Sequence, residues 1–172
     1  RGGDRTKIEL PSAQTELVKA LKAAGLKVVF VNFSGSAMGL TEVEPACDAI
    51  LQAWYPGEEG GNAIKSVLYG EYNPGGRLPV TFYRSTDQLP DFEDYSMKGR
   101  TYRYMTEKPL YPFGYGLSYS KFTYKGIKIK KSGENYVVSL KVKNNGKMDG
   151  DEVVQVYVRR PGDTEGPSHA LR

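Results

Sequence analysis

The sequence predicts an α/β fold in which an open α/β layer is followed by the beginning of a β-sandwich. Residues 11–83 alternate between helical stripes and short apolar runs rich in β-branched side chains, the pattern of strands joined by helices in an open sheet. Residues 122–159 instead alternate apolar and polar side chains over three successive stretches. That alternation is typical of antiparallel strands with one solvated face.

The α/β part begins with one predicted helix and two predicted strands. Pro11 suits the first position of a helix, and Gly25 ends it. Between them the apolar side chains form an amphipathic stripe: Leu17, Val18, Leu21 and Ala24. Residues 27–32 and 49–54 are almost wholly apolar, as are parallel strands that are buried on both faces.

The rest of the first half predicts further elements. Residues 42–48 indicate a short irregular or helical segment, and residues 62–68 a helix that Gly70 ends. Residues 78–83 indicate another strand. Sustained periodicity then stops, and residues 84–121 are rich in Tyr, Pro, Gly and Asp. So long a stretch without regular structure belongs to a linker or a functional surface.

The last third predicts three strands with turns between them. The alternating stretches are residues 122–131, 136–143 and 152–159. A β-sandwich of this kind needs about seven strands, so we expect an incomplete one. The expected parts of the chain are therefore residues 1–84, 85–121 and 122–172.

Charge and composition exclude several classes of function. The formal net charge is +4, and the lysine excess lies on the last strands, where it favours a solvated face and protects sheet edges. No motif for nucleic-acid binding accompanies it. Cys47 is the single cysteine and His169 the single histidine. We therefore expect no internal disulfide, no histidine triad, no metal site and no cofactor.

The two ends of the chain predict a fragment of a longer protein. The chain starts with Arg1 where a gene product would start with Met, and no terminating pattern precedes Arg172. No apolar run reaches the length of about 18 residues that a membrane-spanning helix needs, so membrane insertion is not expected.

The loop after the second predicted strand is the candidate binding site. The aromatic pair Trp54 and Tyr55 is followed by Glu58 and Glu59, and Gly60 opens the next helix. In open α/β sheets, ligands bind at the carboxyl ends of the strands. Aromatic faces next to carboxylate acceptors are typical of a sugar-binding rim.

Each of these residues has a second interpretation. Trp54 and Tyr55 either stack on a sugar ring or fill the space between helix and sheet. Glu58 and Glu59 are adjacent, so their carboxylates point in different directions and cannot face each other across a bond as a catalytic pair. One of them either favours the start of the following helix through its dipole or stands at the mouth of a sugar site.

Two serines follow the first predicted strand. Ser34 and Ser36 are placed to line the same cleft. Gly35 between them explains a tight turn equally well.

A series of motifs spans the chain from one end to the other. In order, they are GGDRTKIELP, VNFSGSA, AWYPGEEGG, LYGEYNPGGRLPVTFY, DYSMKGRTYRY and LYPFGYGLSYSKFTY. Together they closely resemble family-3 glycoside hydrolases of the bacterial β-xylosidase and β-glucosidase type. The resemblance implies that residues 1–84 are the C-terminal part of an α/β-sandwich domain and residues 85–121 a connector. Residues 122–172 would be the truncated start of a fibronectin-III-like domain.

The resemblance also implies where catalysis takes place. Members of this family retain anomeric configuration and use an aspartate nucleophile from an N-terminal TIM-type barrel. Their acid/base glutamate precedes the Gly-x-Asp-Arg segment. Neither position is present here, so we expect no catalytic residue in this chain, and the isolated polypeptide should be inactive. The expected partners are the missing barrel domain and an oligosaccharide substrate.

Charged residues near the first motif and in the connector predict structural roles. Asp4 and Arg5 either form a charge pair that steadies the acid/base loop or form an exposed pair of little energetic value. Arg100 and Arg103 flank a tyrosine and predict multi-donor anchoring of the connector.

Three functions compete. The first is part of a secreted or periplasmic exo-acting β-glycosidase that releases terminal β-linked sugars from plant-type oligosaccharides, with xylose and glucose both open. This chain would supply one wall of the active site and a buttressing β-sandwich. The second is a non-catalytic carbohydrate-binding or scaffolding module. The third, an anion site at the helix after Glu59, lacks the Lys and Ser/Thr of a phosphate-binding loop.

Overall fold

A computed structural model describes residues 5–172, which contain short helices and paired strands. The helices are α1 (Ser12–Ala23), α2 (Gly60–Leu68) and α3 (Thr101–Tyr104). The strands are β1 (Val29–Asn32), β2 (Ala49–Gln52), β3 (Phe122–Ser132), β4 (Asn135–Asn144), β5 (Tyr157–Val158) and β6 (Ala170–Leu171). Turns of 3-10 helix lie at Glu44–Ala46 and Thr86–Gln88.

The chain divides into two compact units. The first comprises the residues up to Gly61, Leu78–Tyr115 and Gln155–Arg172. The second comprises Asn62–Arg77 and Gly116–Val154.

The first unit is built on a parallel pair of strands, β1 and β2. Their register runs from Val29 opposite Ala49 to Asn32 opposite Gln52, which confirms two parallel strands. The expectation that both are buried on both faces is wrong, because Val29 and Ala49 are exposed and most of the other strand residues are only half-buried. The strand predicted for residues 49–54 ends at Gln52, because Trp54 adopts a left-handed backbone conformation with φ 55°. The core of this unit consists of six buried apolar side chains: Val18, Val28, Leu40, Val43, Ala46 and Phe82.

Helix α1 buries only part of its predicted stripe. Pro11 is the N-cap residue, one position before the place predicted for it. Val18 and Thr15 are buried, whereas Leu17 is 60% exposed. The stripe therefore has more apolar surface than the described residues of this unit cover.

The strand predicted for residues 78–83 is wrong. The structure has one antiparallel bridge there, Phe82 to Tyr111, and single backbone bonds at Leu78 to Tyr115 and Gly114. Pro79 interrupts the ladder because proline lacks the N–H that a paired strand donates.

The second unit contains an antiparallel hairpin, β3–β4. Both strands were predicted, and the register from Phe122 opposite Asn144 to Ser132 opposite Asn135 confirms them. Gly133, with φ 62°, supplies the left-handed conformation that a two-residue hairpin turn requires. A bulge between Lys125 and Lys128 adds one residue to β3.

The third predicted strand, residues 152–159, is mostly wrong. Only Tyr157–Val158 form a strand, and they pair with Ala170–Leu171. Alternation alone does not make a strand: among the described residues, Glu152–Gln155 have no ladder partner. The expectation of a strand over the whole of residues 152–159 is corrected accordingly.

Two further findings concern the described residues as a whole. None of the helices in residues 5–172 has the length and hydropathy needed to cross a bilayer. The long connector contains two single turns of helix, Thr86–Gln88 and Thr101–Tyr104, where the sequence predicted no regular structure.

Candidate functional site

The carboxyl ends of β1 and β2 carry a buried polar network. The Asn32 side-chain amide donates to Gln52 Oε1 at 2.6 Å and to Ser34 Oγ at 3.1 Å. Gln52 Nε2 donates to the same hydroxyl at 3.1 Å. Neither Asn32 nor Gln52 is among the site residues predicted from the sequence. The available signal was that two neighbouring apolar strands both end in an amide side chain.

This network fixes the loop that follows β1. Ser34 is buried and donates to the Ser36 carbonyl at 2.8 Å, so its hydroxyl is fully used inside the protein. Ser36 is exposed and lines a cavity. Of the two predicted serines, Ser36 is therefore the one that is accessible to a ligand.

Trp54 lies between the core and this cavity. Its ring makes an edge-to-face contact with Phe82, with 6.1 Å between the ring centroids, and the side chain is half-buried. A bulky residue at φ 55° is strained, and such strain concentrates at binding sites. The two interpretations of Trp54 are thus compatible, because one edge of the ring packs while the side chain lines the cavity.

Tyr55 is 78% exposed and lies against the backbone of Gly35. A Cβ on Gly35 would stand only 2.7 Å from Cε2 of Tyr55. Close packing by Tyr55 therefore explains the glycine.

Glu58 and Glu59 lie in the last exposed turn before α2. Gly57, with φ 72°, turns the chain, and the Pro56 ring packs on Gly60 where a Cβ would collide with it. Both carboxylates thus come directly before a helix start, where the dipole favours negative charge.

A cavity of about 700 Å³ brings the Trp54 loop together with the connector. Its lining is mainly apolar and includes Trp54, Met97 and Phe113. The volume lies in the range of small-molecule pockets, about 300–1,000 Å³. Within the described residues, Ser36 and Trp54 are the two predicted site residues that it joins.

The connector side of the cavity is held in a strained conformation. Thr101 has φ 56°, and its N–H donates to the Tyr83 hydroxyl at 3.0 Å. The Tyr102 ring stacks on Phe113 with centroids 4.4 Å apart. Arg100 donates to the carbonyls of Ser96, at 3.1 Å, and of two neighbouring connector residues. The side chain of Arg100 therefore holds neighbouring parts of the connector together.

Two of the residues that line the cavity each have a buried polar atom without a partner within residues 5–172. Thr81 Oγ1 and Arg103 Nε are buried and make no hydrogen bond to the described residues, and Thr81 is only 6% exposed. Buried polar atoms are normally paired. Both atoms can donate a hydrogen bond.

The first motif lies partly outside the described residues. Asp4 is not among them, so its proposed pair with Arg5 is not described. Arg5 is exposed and donates to the Glu9 carbonyl. Burial raises the pKa of the Glu9 carboxyl, but two hydrogen bonds from Thr86, each 2.7 Å long, outweigh it and leave that pKa below its usual value.

Candidate metal ligands are scattered among the residues that the structure describes. No group of three or more His, Cys, Asp and Glu side chains converges there. Burial raises the pKa of the half-buried Cys47 thiol, which the acidic neighbours Asp48 and Glu44 raise further, so this thiol is a poor nucleophile.

Known proteins resemble this chain along its full length. A xylan 1,4-beta-xylosidase of Xylanibacter ruminicola is 55% identical over 174 residues, which cover 100% of this chain and 20% of the relative. A periplasmic beta-glucosidase of Salmonella typhimurium is 41% identical over 172 residues, and the alignment covers 90% of this chain and 22% of the relative. The chain thus spans about a fifth of the length of these relatives.

Solved structures share the fold. Beta-glucosidase 3B of Thermotoga neapolitana, in complex with glycerol, superposes with a TM-score of 0.86 at 31% identity, covering 99% of this chain and 27% of that one. A beta-glucosidase of Erythrobacter marinus gives a TM-score of 0.83 at 39% identity over 99% of this chain and 24% of that one. The model of the glycosyl hydrolase family 3 C-terminal domain matches residues 2–119. This chain therefore belongs to glycoside hydrolase family 3, and its fold is that of the family's C-terminal α/β-sandwich-type domain.

Proposed function

We propose that this chain is the C-terminal part of an exo-acting retaining β-glycosidase that releases terminal β-linked xylose or glucose from plant-type oligosaccharides. The full-length protein to which it belongs is called the parent protein below. Family membership and the names of the relatives support the glycosidase activity. The observation that supports a sugar-facing role for this chain is the mainly apolar cavity that Trp54 lines together with polar residues such as Ser36 and Thr81.

In this proposal the chain supplies a wall of the active site and no catalytic carboxylate. Glu58 and Glu59 are adjacent and precede α2, an arrangement that suits a helix start better than acid/base catalysis. The nucleophile and the acid/base belong to the remaining part of the parent protein, including a TIM-type barrel. Trp54, Tyr55, Ser36 and the two glutamates would face the sugar from one side, and Ser34 would hold their loop.

The proposal also assigns a structural role to the hairpin and a cell compartment to the parent protein. The β3–β4 hairpin has one apolar and exposed face, which supports its assignment to the start of a fibronectin-III-like sandwich that buttresses the parent protein. One relative is named a periplasmic beta-glucosidase, which supports a secreted or periplasmic parent protein.

Release of p-nitrophenol from aryl β-xyloside and aryl β-glucoside tests whether the catalytic carboxyl groups lie outside this chain. The parent protein should hydrolyse one or both substrates, and the isolated chain neither, because the retaining mechanism needs two carboxyl groups about 5–5.5 Å apart. Hydrolysis by the isolated chain would refute the assignment of the catalytic groups. An inactive parent protein would refute the glycosidase proposal itself.

The Trp54→Ala variant of the parent protein tests the sugar-facing wall. Loss of an aromatic face should lower kcat/KM about three- to tenfold. The matched control is Tyr69→Ala, since Tyr69 is an exposed aromatic residue of the other unit and should leave kcat/KM unchanged. Equal losses in the two variants would contradict a role for Trp54 at the sugar.

The second candidate function is a non-catalytic carbohydrate-binding or scaffolding module. The aromatic lining of the cavity favours it as well. Isothermal titration of the isolated chain with xylobiose and cellobiose separates the two functions. Millimolar or tighter binding by the chain alone would favour the module, and its absence favours a wall that binds sugar only within the parent protein.

A further inference from the structure

The hairpin of the second unit concentrates lysines on one side of its sheet. Directly opposed residues of an antiparallel pair point to the same face, and residues two apart along a strand share it. The register therefore places five lysines on one face, which we call the lysine face: Lys125, Lys128, Lys130, Lys141 and Lys143. Their neighbours on this face are Thr123, Val137 and Ser139.

The charges of the lysine face are uncompensated. All five lysines are exposed, and none makes an ion pair or a side-chain hydrogen bond to the residues that the structure describes. Lys125 lies directly opposite Lys141, and like charges in that position destabilise a sheet. Residues 116–148 contain eight lysines and one glutamate, whereas the formal net charge of the whole chain is only +4. The positive charge is thus local to this hairpin.

The opposite face of the hairpin is mainly apolar, with Lys131 at its turn end, and this determines the side that stays in solvent. Tyr124 lies opposite Val142 and Ile129 opposite Val138 on that face. An apolar face is the one that a second sheet covers in a β-sandwich. The lysine face then remains outward and accessible to a large ligand.

The composition of the lysine face selects among polyanions. It contains no arginine, whose planar fork is favoured for phosphate recognition. It also contains no aromatic side chain on which bases could stack. Lysine positions about 6.6 Å apart along a strand and about 5 Å apart between strands, measured on the backbone, carry an array of point charges on one face. Such an array matches an extended polymer that carries one carboxylate per sugar unit.

We propose that the lysine face binds a carboxylated polysaccharide and holds the parent protein on such polymers. The choice of a polysaccharide over other carboxylated polymers rests on the proposed glycosidase function. The contacts are ion pairs between lysine ammonium groups and uronate carboxylates, and binding is therefore sensitive to salt.

Affinity electrophoresis and isothermal titration of the parent protein with polygalacturonate test this proposal. The test variant is Lys125→Gln/Lys128→Gln/Lys141→Gln. The matched control is Lys7→Gln/Lys98→Gln/Lys108→Gln, which removes the same charge from exposed lysines of the first unit. At low salt, the test variant should bind at least about tenfold more weakly than the wild type, and the control variant should bind like the wild type. Raising the salt should release the wild type.

Several outcomes would overturn the proposal. They are absence of wild-type binding at low salt, equal binding by wild type and test variant, and equal losses in the two triple variants. Equal or tighter binding of duplex DNA than of polygalacturonate would assign the face to another polyanion. Hydrolysis of an aryl β-glycoside by all three proteins at the same rate verifies that they are folded. That measurement also tests the proposed glycosidase function independently of polymer binding.

Discussion

Two residues with an unfavourable backbone conformation face the same cavity. Trp54 and Thr101 have φ values of 55° and 56°. Each such residue costs about 1–3 kcal/mol and persists only where its surroundings impose the conformation. The contact of Trp54 with Phe82 and the hydrogen bond from Thr101 to Tyr83 provide that restraint. Strain on two sides of one cavity supports a binding role for that cavity.

Gly57 in the Trp54 loop and Gly61 in the helix that follows it have opposite effects on the stability of the protein, and this difference is testable. Gly57 has φ 72° with open space around its Cβ position, whereas Gly61 has equally open space within helix α2. Gly57→Ala should destabilise the protein by about 1–2 kcal/mol through backbone strain alone. Gly61→Ala should stabilise it by about 0.5–1 kcal/mol because alanine favours a helix. Chemical denaturation measures both effects, and a neutral Gly57→Ala variant would show that the loop relaxes.

Asp48 makes the stability of the first unit dependent on pH. Its carboxylate accepts hydrogen bonds from the Val28 N–H at 2.9 Å and from Lys22 and Lys27, both at 3.0 Å. These bonds, the Val28 bond foremost, hold the pKa of Asp48 well below its usual range. Since the folded pKa is lowered, the stabilisation is fully present above the unfolded pKa of about 4. It is lost as the pH falls from that value toward the folded pKa.

The Asp48→Asn variant should therefore be less stable than the wild type at pH 7. The difference between the two proteins should shrink as the pH falls below about 4. Thermal unfolding followed by circular dichroism at several pH values measures it, with the exposed Asp87→Asn as the matched control. A difference that does not change with pH would contradict the role given to the charge.

At the level of elements, the sequence predicted the helices and strands whose apolar side chains repeat regularly along a short segment. Strands β1 and β2, helix α2 and the β3–β4 hairpin lie where the sequence indicates them. The strand predicted around Phe82 failed because Pro79 removes a ladder donor.

The candidate site could be predicted only in part. The motif around Trp54 indicated one wall of the cavity, since aromatic and acidic residues follow a strand there. Thr81, Thr101 and Arg103 come from segments far along the chain. No periodicity reports which distant segments meet, so their place in the cavity could not be predicted from the sequence.

Asn73 organises the loops of the second unit. It is only 3% exposed, accepts hydrogen bonds from Ser118 Oγ and the Tyr119 N–H, both at 2.8 Å, and donates to the Asp149 carbonyl at 3.1 Å. Asn73→Ala leaves these groups without partners and should cost about 1–3 kcal/mol. The exposed Asn145→Ala, which loses one bond to Thr123, should cost less than about 1 kcal/mol. Urea unfolding compares the two variants, and an equal loss of unfolding free energy in both would contradict the role given to Asn73.

At the level of the whole molecule, the chain exposes apolar surface in both units. Phe92 and Tyr95 in the connector are each 90% exposed, and Ile127 and Ile129 on the hairpin are 64% and 69% exposed. Exposed apolar area of this extent marks an interaction surface or an aggregation liability. The chain spans only about a fifth of its relatives' length, so we expect the rest of the parent protein to cover part of this surface.

The isolated chain should therefore self-associate through the apolar face of its hairpin. Removing Ile127 and Ile129 with the double variant Ile127→Thr/Ile129→Thr should shift it toward monomer, because threonine keeps β-propensity while reducing apolar area. Val137→Thr is the matched control, since Val137 is half-exposed but lies on the lysine face. Sedimentation velocity measures the distribution of species. A monodisperse wild-type monomer, or an equal shift in the control, would contradict the assignment of this face as the one that a second sheet covers.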